Sequence, residues 1–212
     1  MPCQPELSIG KTIARWWEDE RNSHSLSITA SRLVAKLWEF VRDSTPQRRK
    51  QRYGDADYDW EERVNTTAAT VGWRDRLLGH FLSPYQPTEP SLFHEMMRVL
   101  ELDFSQFTFI DVGSGKGRTL LMAADYPFKH VVGVEIFPEL HAIAEANIRS
   151  FGSDRRKCLS IESLCQDART FIFPAGPLLL YLFNPLPEAG LLSLHRLLPG
   201  RRNRGDPVRP VL

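Results

Sequence analysis

The chain has 212 residues, room for one sizeable α/β domain plus an extension and too few for two full domains. It is 42% hydrophobic and 25% charged, with a formal net charge of +1, a globular balance that carries no clear nucleic-acid signal. With no apolar run of 18 residues and no charged start leading into an apolar core, neither a membrane span nor a signal peptide is expected, and the protein reads as cytoplasmic. Cys3, Cys158 and Cys165 are odd in number and lack CxxC spacing, so reduced thiols are expected rather than a disulfide framework or a metal site.

Residues 1–84 read as a helical N-terminal extension. "SLSITASRLVAKLWEFVRD" sets Leu33, Leu37, Phe40 and Val41 near one helix face, with Ser27 or Thr29 as its N-cap. "STPQRRKQRYGD" breaks that pattern, and its basic run reads as a solvated linker. "YQPTEPSLFHEMMRVLELD" is extended around Pro87 and Pro90, then becomes a short helix through Phe93, Met96, Met97 and Leu100.

From residue 107 the rhythm is βαβα. The strands are "FTFIDV", "HVVGVEI", a run within "CLSIESLCQD", and "PLLLYLFN". The last is apolar nearly throughout, as a strand buried on both faces would be. Helices are expected from near Gly117, over "PELHAIAEANIRSF" with Pro138 in its first turn, and over "PEAGLLSLHRLL". Such alternation predicts an α/β fold, a Rossmann-like parallel sheet with helices on both faces. The domain spans 85–198, and the Arg- and Pro-rich residues 199–212 are expected to form a disordered tail.

The chemistry-bearing stretch is "FIDVGSGKGR". A phosphate loop would need a glycine at 110, which is Ile110, and Ser or Thr at 117, which is Gly117. A dinucleotide fingerprint would need its third glycine at 118, which is Arg118. What remains is G-x-G-x-G with an acid two residues ahead: Asp111, Gly113, Gly115 and Gly117. Asp111 suits a cationic ligand end, and Glu135, closing the second strand, suits the paired hydroxyls of a ribose. A nucleoside with an amino-acid tail and little phosphate satisfies both, which describes S-adenosylmethionine.

"FIDVGSGKGR", "VVGVEI", "CQDA" and "LFNPLP" together resemble the first four motifs of the class I S-adenosylmethionine-dependent methyltransferases. The resemblance implies that Asp111, Gly113, Ser114, Gly115 and Gly117 cradle the methionine portion. It assigns the ribose to Glu135 and the adenine amine to Asp167. "YQPT", with Thr88, resembles a segment that closes over the cofactor in several protein lysine methyltransferases without a SET domain. "NPLP" resembles the Asn-Pro-Pro-aromatic signature of nitrogen methylation, which implies that Asn184 and Pro185 orient an amine, although Leu186 and Pro187 depart from that signature. The acceptor implied is a protein amine or a small molecule, and no metal is required.

The family fold carries seven strands and four are read here, so the domain is expected to be truncated after the fourth, and a partner completing the sheet edge is one alternative. Two other functions stay open at this point. One is a non-catalytic, truncated methyltransferase-like scaffold that binds a partner. The other is an NAD-dependent oxidoreductase, which the displaced third glycine disfavours.

Overall fold

The structure is a computed structural model that describes residues 8–45, 56–82, 84–152 and 156–183. The basic run after Pro46, the expected helix after Pro187, the tail, Asn184 and Pro185 lie outside the described residues.

Three N-terminal helices pack on one another: α1 (Ile9–Ser23), α2 (Leu26–Asp43) and, after a short α3 (Ala56–Glu62), α4 (Trp73–Phe81). The Trp16 ring meets Phe81 edge-on at 5.4 Å, and Phe40 meets His80 at 5.8 Å. Lys36 donates to the His80 carbonyl at 2.6 Å, placing a cation at the negative end of α4. The N-cap of α2 is Ser25, not Ser27 or Thr29; Thr29 is fully buried inside the helix. The buried face also differs from the expected one. Leu33 and Phe40 are half-buried, while Leu37 and Val41 point to solvent beside Val34 and Trp38, because Lys36 and Phe40 face α4.

Helix α5 (Pro90–Val99) starts on Glu89, whose carboxylate accepts from the amides of Ser91 and Leu92, with Pro90 supplying the preset φ of a first turn. Then come β1 (Thr108–Val112), α6 (Arg118–Ala123), β2 (His130–Glu135), α7 (Pro138–Ser150), β3 (Ile161–Cys165) and β4 (Leu178–Leu182). All pairings are parallel and the order is β3-β2-β1-β4, a Rossmann-like arrangement preceded by helices. Alternation along β1 sends Phe109 into a cluster with Phe93, Met97, Leu120, Leu121, Phe128 and Val131, drawn from α5, α6 and the sheet. Ile110, Val112, Val132 and Val134 face the other way, against Ala168, Phe171 and Phe173.

β1 is buried throughout, whereas Leu178 to Tyr181 of β4 are half-buried and Leu182 is exposed. Among the described residues β4 pairs only with β1, so an apolar strand occupies an edge rather than the sandwiched place its composition suggests. The thiols differ from expectation as well: Cys158 is free and buried, but Cys165 is disulfide-bonded. No described helix is long and apolar enough to cross a membrane.

Candidate cofactor site

The first strand ends against a turn that β2 and α7 hold in place. The amides of Gly113 and Ser114 donate to the Val134 carbonyl at 2.8 and 3.3 Å, which anchors the turn beside β2. Gly115 has φ +54°, and a Cβ there would lie 2.2 Å from the Tyr85 ring, so both conformation and space call for glycine. Gly117 caps α6 at φ +82°, with Ala144 of α7 directly above it. Glu135 completes the turn from below: one carboxylate oxygen accepts from Gly115 N at 2.7 Å, the other from Phe137 N at 2.8 Å.

Above the turn is a small, partly open cleft. Its floor is Asp111, Gly113 and Ser114; α6 contributes Arg118 and Thr119, and β4 contributes Tyr181 with Phe183 just beyond. The strap from Tyr85 to Thr88 closes one side. Asp111 is buried, and its carboxyl is pushed up to about 8, first by burial and then by the negative charge of Glu135, against a hydrogen bond with Thr119. Such a group gains from a ligand cation at its side. The Ser114 hydroxyl is buried and has no hydrogen-bond partner among the described residues. A buried acid and a buried hydroxyl on residues that line one cleft fit a ligand that carries an ammonium on a polar tail.

Two basic side chains of this stretch, Lys116 and Arg118, are fully buried. Arg118 donates to the Thr66 hydroxyl at 2.6 Å, pairs with Asp59 at 3.3 Å, and stacks over the Tyr58 ring at 5.0 Å. Lys116 donates to the Thr67 carbonyl at 2.7 Å, to Asn65 at 3.3 Å and to the Thr70 hydroxyl. Burial pushes the Lys116 ammonium down to about 8, against the pull of Asp59. Asn147 joins the backbones of Asn65 and Lys116, and the Tyr85 hydroxyl donates to the Thr66 carbonyl at 2.6 Å. Residues 59–70 are thereby bolted to the glycine turn, and Arg118 and Asp111 both line the cleft.

The structure brings Thr88, Asp111, Gly113 and Ser114 together at the cleft. Gly115 lies in the same turn, under Tyr85, and Gly117 starts the helix behind it. Glu135 sits beneath, both oxygens already accepting a backbone amide. Asp167 caps the turn after β3, accepting from Arg169 N at 2.9 Å and pairing with both ends of its guanidinium. Burial would raise the Asp167 carboxyl, but Arg169 outweighs it and holds the group below the usual carboxylate range. Sequence reasoning reached Tyr85 only as part of "YQPT" and missed Thr119 and Tyr181. For Tyr181 a signal existed: it is the only polar side chain in "LLLYL", and its spacing from Asn184 places it at the strand's functional end.

Residues 82–160, which run from the strap through the glycine turn to the end of α7 and beyond, match the family described as histone methylation protein DOT1. Among solved structures, the chain is similar to an RNA methyltransferase from Salinibacter ruber in complex with S-adenosyl-L-homocysteine. That match has 23% identity, covers 46% of this chain and 61% of the other, and has a TM-score of 0.36. It is also similar to the YcgJ protein from Bacillus subtilis, at 17% identity over 41% of this chain and 34% of the other, with a TM-score of 0.32. This chain thus spans less than two thirds of either protein. No curated protein matches it. Over its strap, glycine turn and first two strand–helix units, the chain is similar to the DOT1 methyltransferases, in agreement with the class I resemblance of its motifs.

Proposed function

We propose that this chain binds S-adenosylmethionine in the cleft over the glycine turn and serves methyl transfer to an amine, with a protein side chain as the leading acceptor. The observation that carries the reading is a buried Asp111 at the end of β1, facing a turn of left-handed glycines that Glu135 ties to β2. When bound, the cofactor supplies a methyl carbon already activated by sulfonium, so the protein's share is positioning and desolvation.

In this reading Asp111 holds the ammonium of the methionine tail, and Arg118 and Thr88 face its carboxylate. Glu135 accepts from the ribose through the lone pairs that its two backbone amides leave free, and Asp167 meets the adenine amine once it shares its carboxylate with Arg169. Asn184 and Pro185 orient the acceptor nitrogen. Asn184 is not basic, so an acceptor that arrives as an ammonium loses its proton to water or a carboxylate.

Calorimetric titration of the full chain with S-adenosylmethionine, with NAD as control, tests the reading. Binding that is confined to the first ligand is the expected result. Asp111→Ala and Glu135→Ala should each weaken it by about 1–3 kcal/mol, the range for charge-assisted hydrogen bonds. Equal binding by both variants and the parent chain would remove the site assignment.

A second reading, a partner-binding scaffold, rests on α2. Val34, Leu37, Trp38 and Val41 are all exposed at i, i+3, i+4 and i+7, one apolar stripe. A folded chain that ignores the cofactor yet loses a partner on Trp38→Glu would favour it.

A further inference from the structure

Tyr181 stands in the cleft wall with its ring fixed on several sides. It pairs in register with Asp111 across the β1–β4 ladder, so both side chains leave the same face of the sheet. Its ring stacks on Phe109 at 6.2 Å and on Phe183 at 6.4 Å, and meets Phe93 edge-on at 5.9 Å. Its hydroxyl lies 2.9 Å from that of Thr88, which is itself buried in the strap. Burial pushes the phenol up, so it keeps its proton.

Two hydroxyls at this distance share one hydrogen bond, and only one of them donates. When Tyr181 donates, the Thr88 hydrogen is released to face the cleft. When Thr88 donates, only its lone pairs face it. The cleft already offers an acid for a ligand cation in Asp111, so what the ligand's carboxylate needs from Thr88 is a donor.

We propose that Tyr181 is a positioning residue: by donating to Thr88, it turns the Thr88 hydroxyl into a donor for the cofactor's amino-acid carboxylate and so selects adenosyl ligands that carry a complete amino-acid tail. The proposal rests on the methyltransferase reading above and adds to it the source of tail selectivity.

The test is calorimetry of the full chain and its variants with two thioethers that share a nucleoside: S-adenosylhomocysteine, with the tail, and 5′-methylthioadenosine, without it. The wild-type chain should prefer the first. Thr88→Val should weaken S-adenosylhomocysteine by about tenfold, the loss of one charge-assisted hydrogen bond, Tyr181→Phe should weaken it by less because only the orientation of that bond is lost, and both should leave 5′-methylthioadenosine unmoved. Thr88→Ser should retain the preference, and the double variant should bind no worse than Thr88→Val alone, as two links of one chain do. Equal losses for both ligands, no loss, or additive losses would overturn the assignment. A wild-type chain that binds both ligands equally would sink this proposal and leave the cofactor reading standing. A folded wild-type chain that binds neither would remove both.

Discussion

Asp111 and Glu135 sit on one turn and do different work. Glu135 is buried beneath the backbone, and its two acceptors hold Gly115 and Phe137. Glu135→Ala leaves two buried amides without partners, so it should cost stability as well as binding, about 2 kcal/mol in a denaturant melt. Asp111 lines the cleft and holds no backbone amide among the described residues, so Asp111→Asn should change binding far more than melting. Its carboxyl, raised to about 8, gives a pH signature. A ligand ammonium binds the ionised form, so affinity for S-adenosylhomocysteine should climb as pH rises through about 8, until the ligand's own ammonium deprotonates. In Asp111→Asn that climb should vanish.

At the scale of elements, the segment between α3 and α4 is held by side chains from the glycine turn rather than by a ladder of backbone bonds. Asp59 accepts from the amides of Thr66 and Thr67 while pairing with the buried Arg118. Asp59→Ala removes the acceptor and leaves the guanidinium in a site built for a pair. It should cost about 3 kcal/mol in a thermal melt, the scale of a broken buried ion pair, and expose residues 59–70 to hydrogen exchange. Gly115→Ala acts on the same junction from the strap side. A Cβ there meets the Tyr85 ring, and φ +54° disfavours it, so about 1–2 kcal/mol should be lost together with cofactor affinity.

At the scale of the whole molecule, the helical extension meets the α/β part through Ile9, Leu78, Tyr85, Phe137 and Leu140, and through two acids. Asp75 of α4 is buried and hydrogen-bonds Glu139 in the first turn of α7. Burial, then that bond and the Glu139 charge, raise Asp75 to about 7, with Glu135 adding and Arg74 opposing. The folded chain therefore holds protons at Asp75 and Asp111 that the unfolded chain has released above about pH 4. The fold binds more protons, so stability falls as pH rises from about 4 through about 7 for Asp75 and about 8 for Asp111. Melting temperatures across that range should decline, and Asp75→Asn should flatten the first part of the decline.

The four strands, their order of appearance and the glycine turn were legible because each rests on local rules: β-branched runs, a helix-starting proline, glycines where φ is positive. Asp111, Gly113, Gly115 and Gly117 could be named from spacing because one strand end and one turn carry them, whereas Ser114 and Thr88 were named only through the family resemblance. Contacts between distant segments were not legible. Nothing in "GSGKGR" says that Lys116 and Arg118 turn inward, because their partners lie some fifty residues earlier, on a segment that reads as a plain connection. Nor does periodicity say which of two apolar faces α2 buries; Lys36 and Phe40 meeting α4 decided that. Local sequence determined the turn and its chemistry, through backbone conformation and side-chain charge. Tertiary packing alone decided the cleft walls, Tyr181 beside Asp111 and the burial that moves their protons, since burial and register are properties of the assembled sheet.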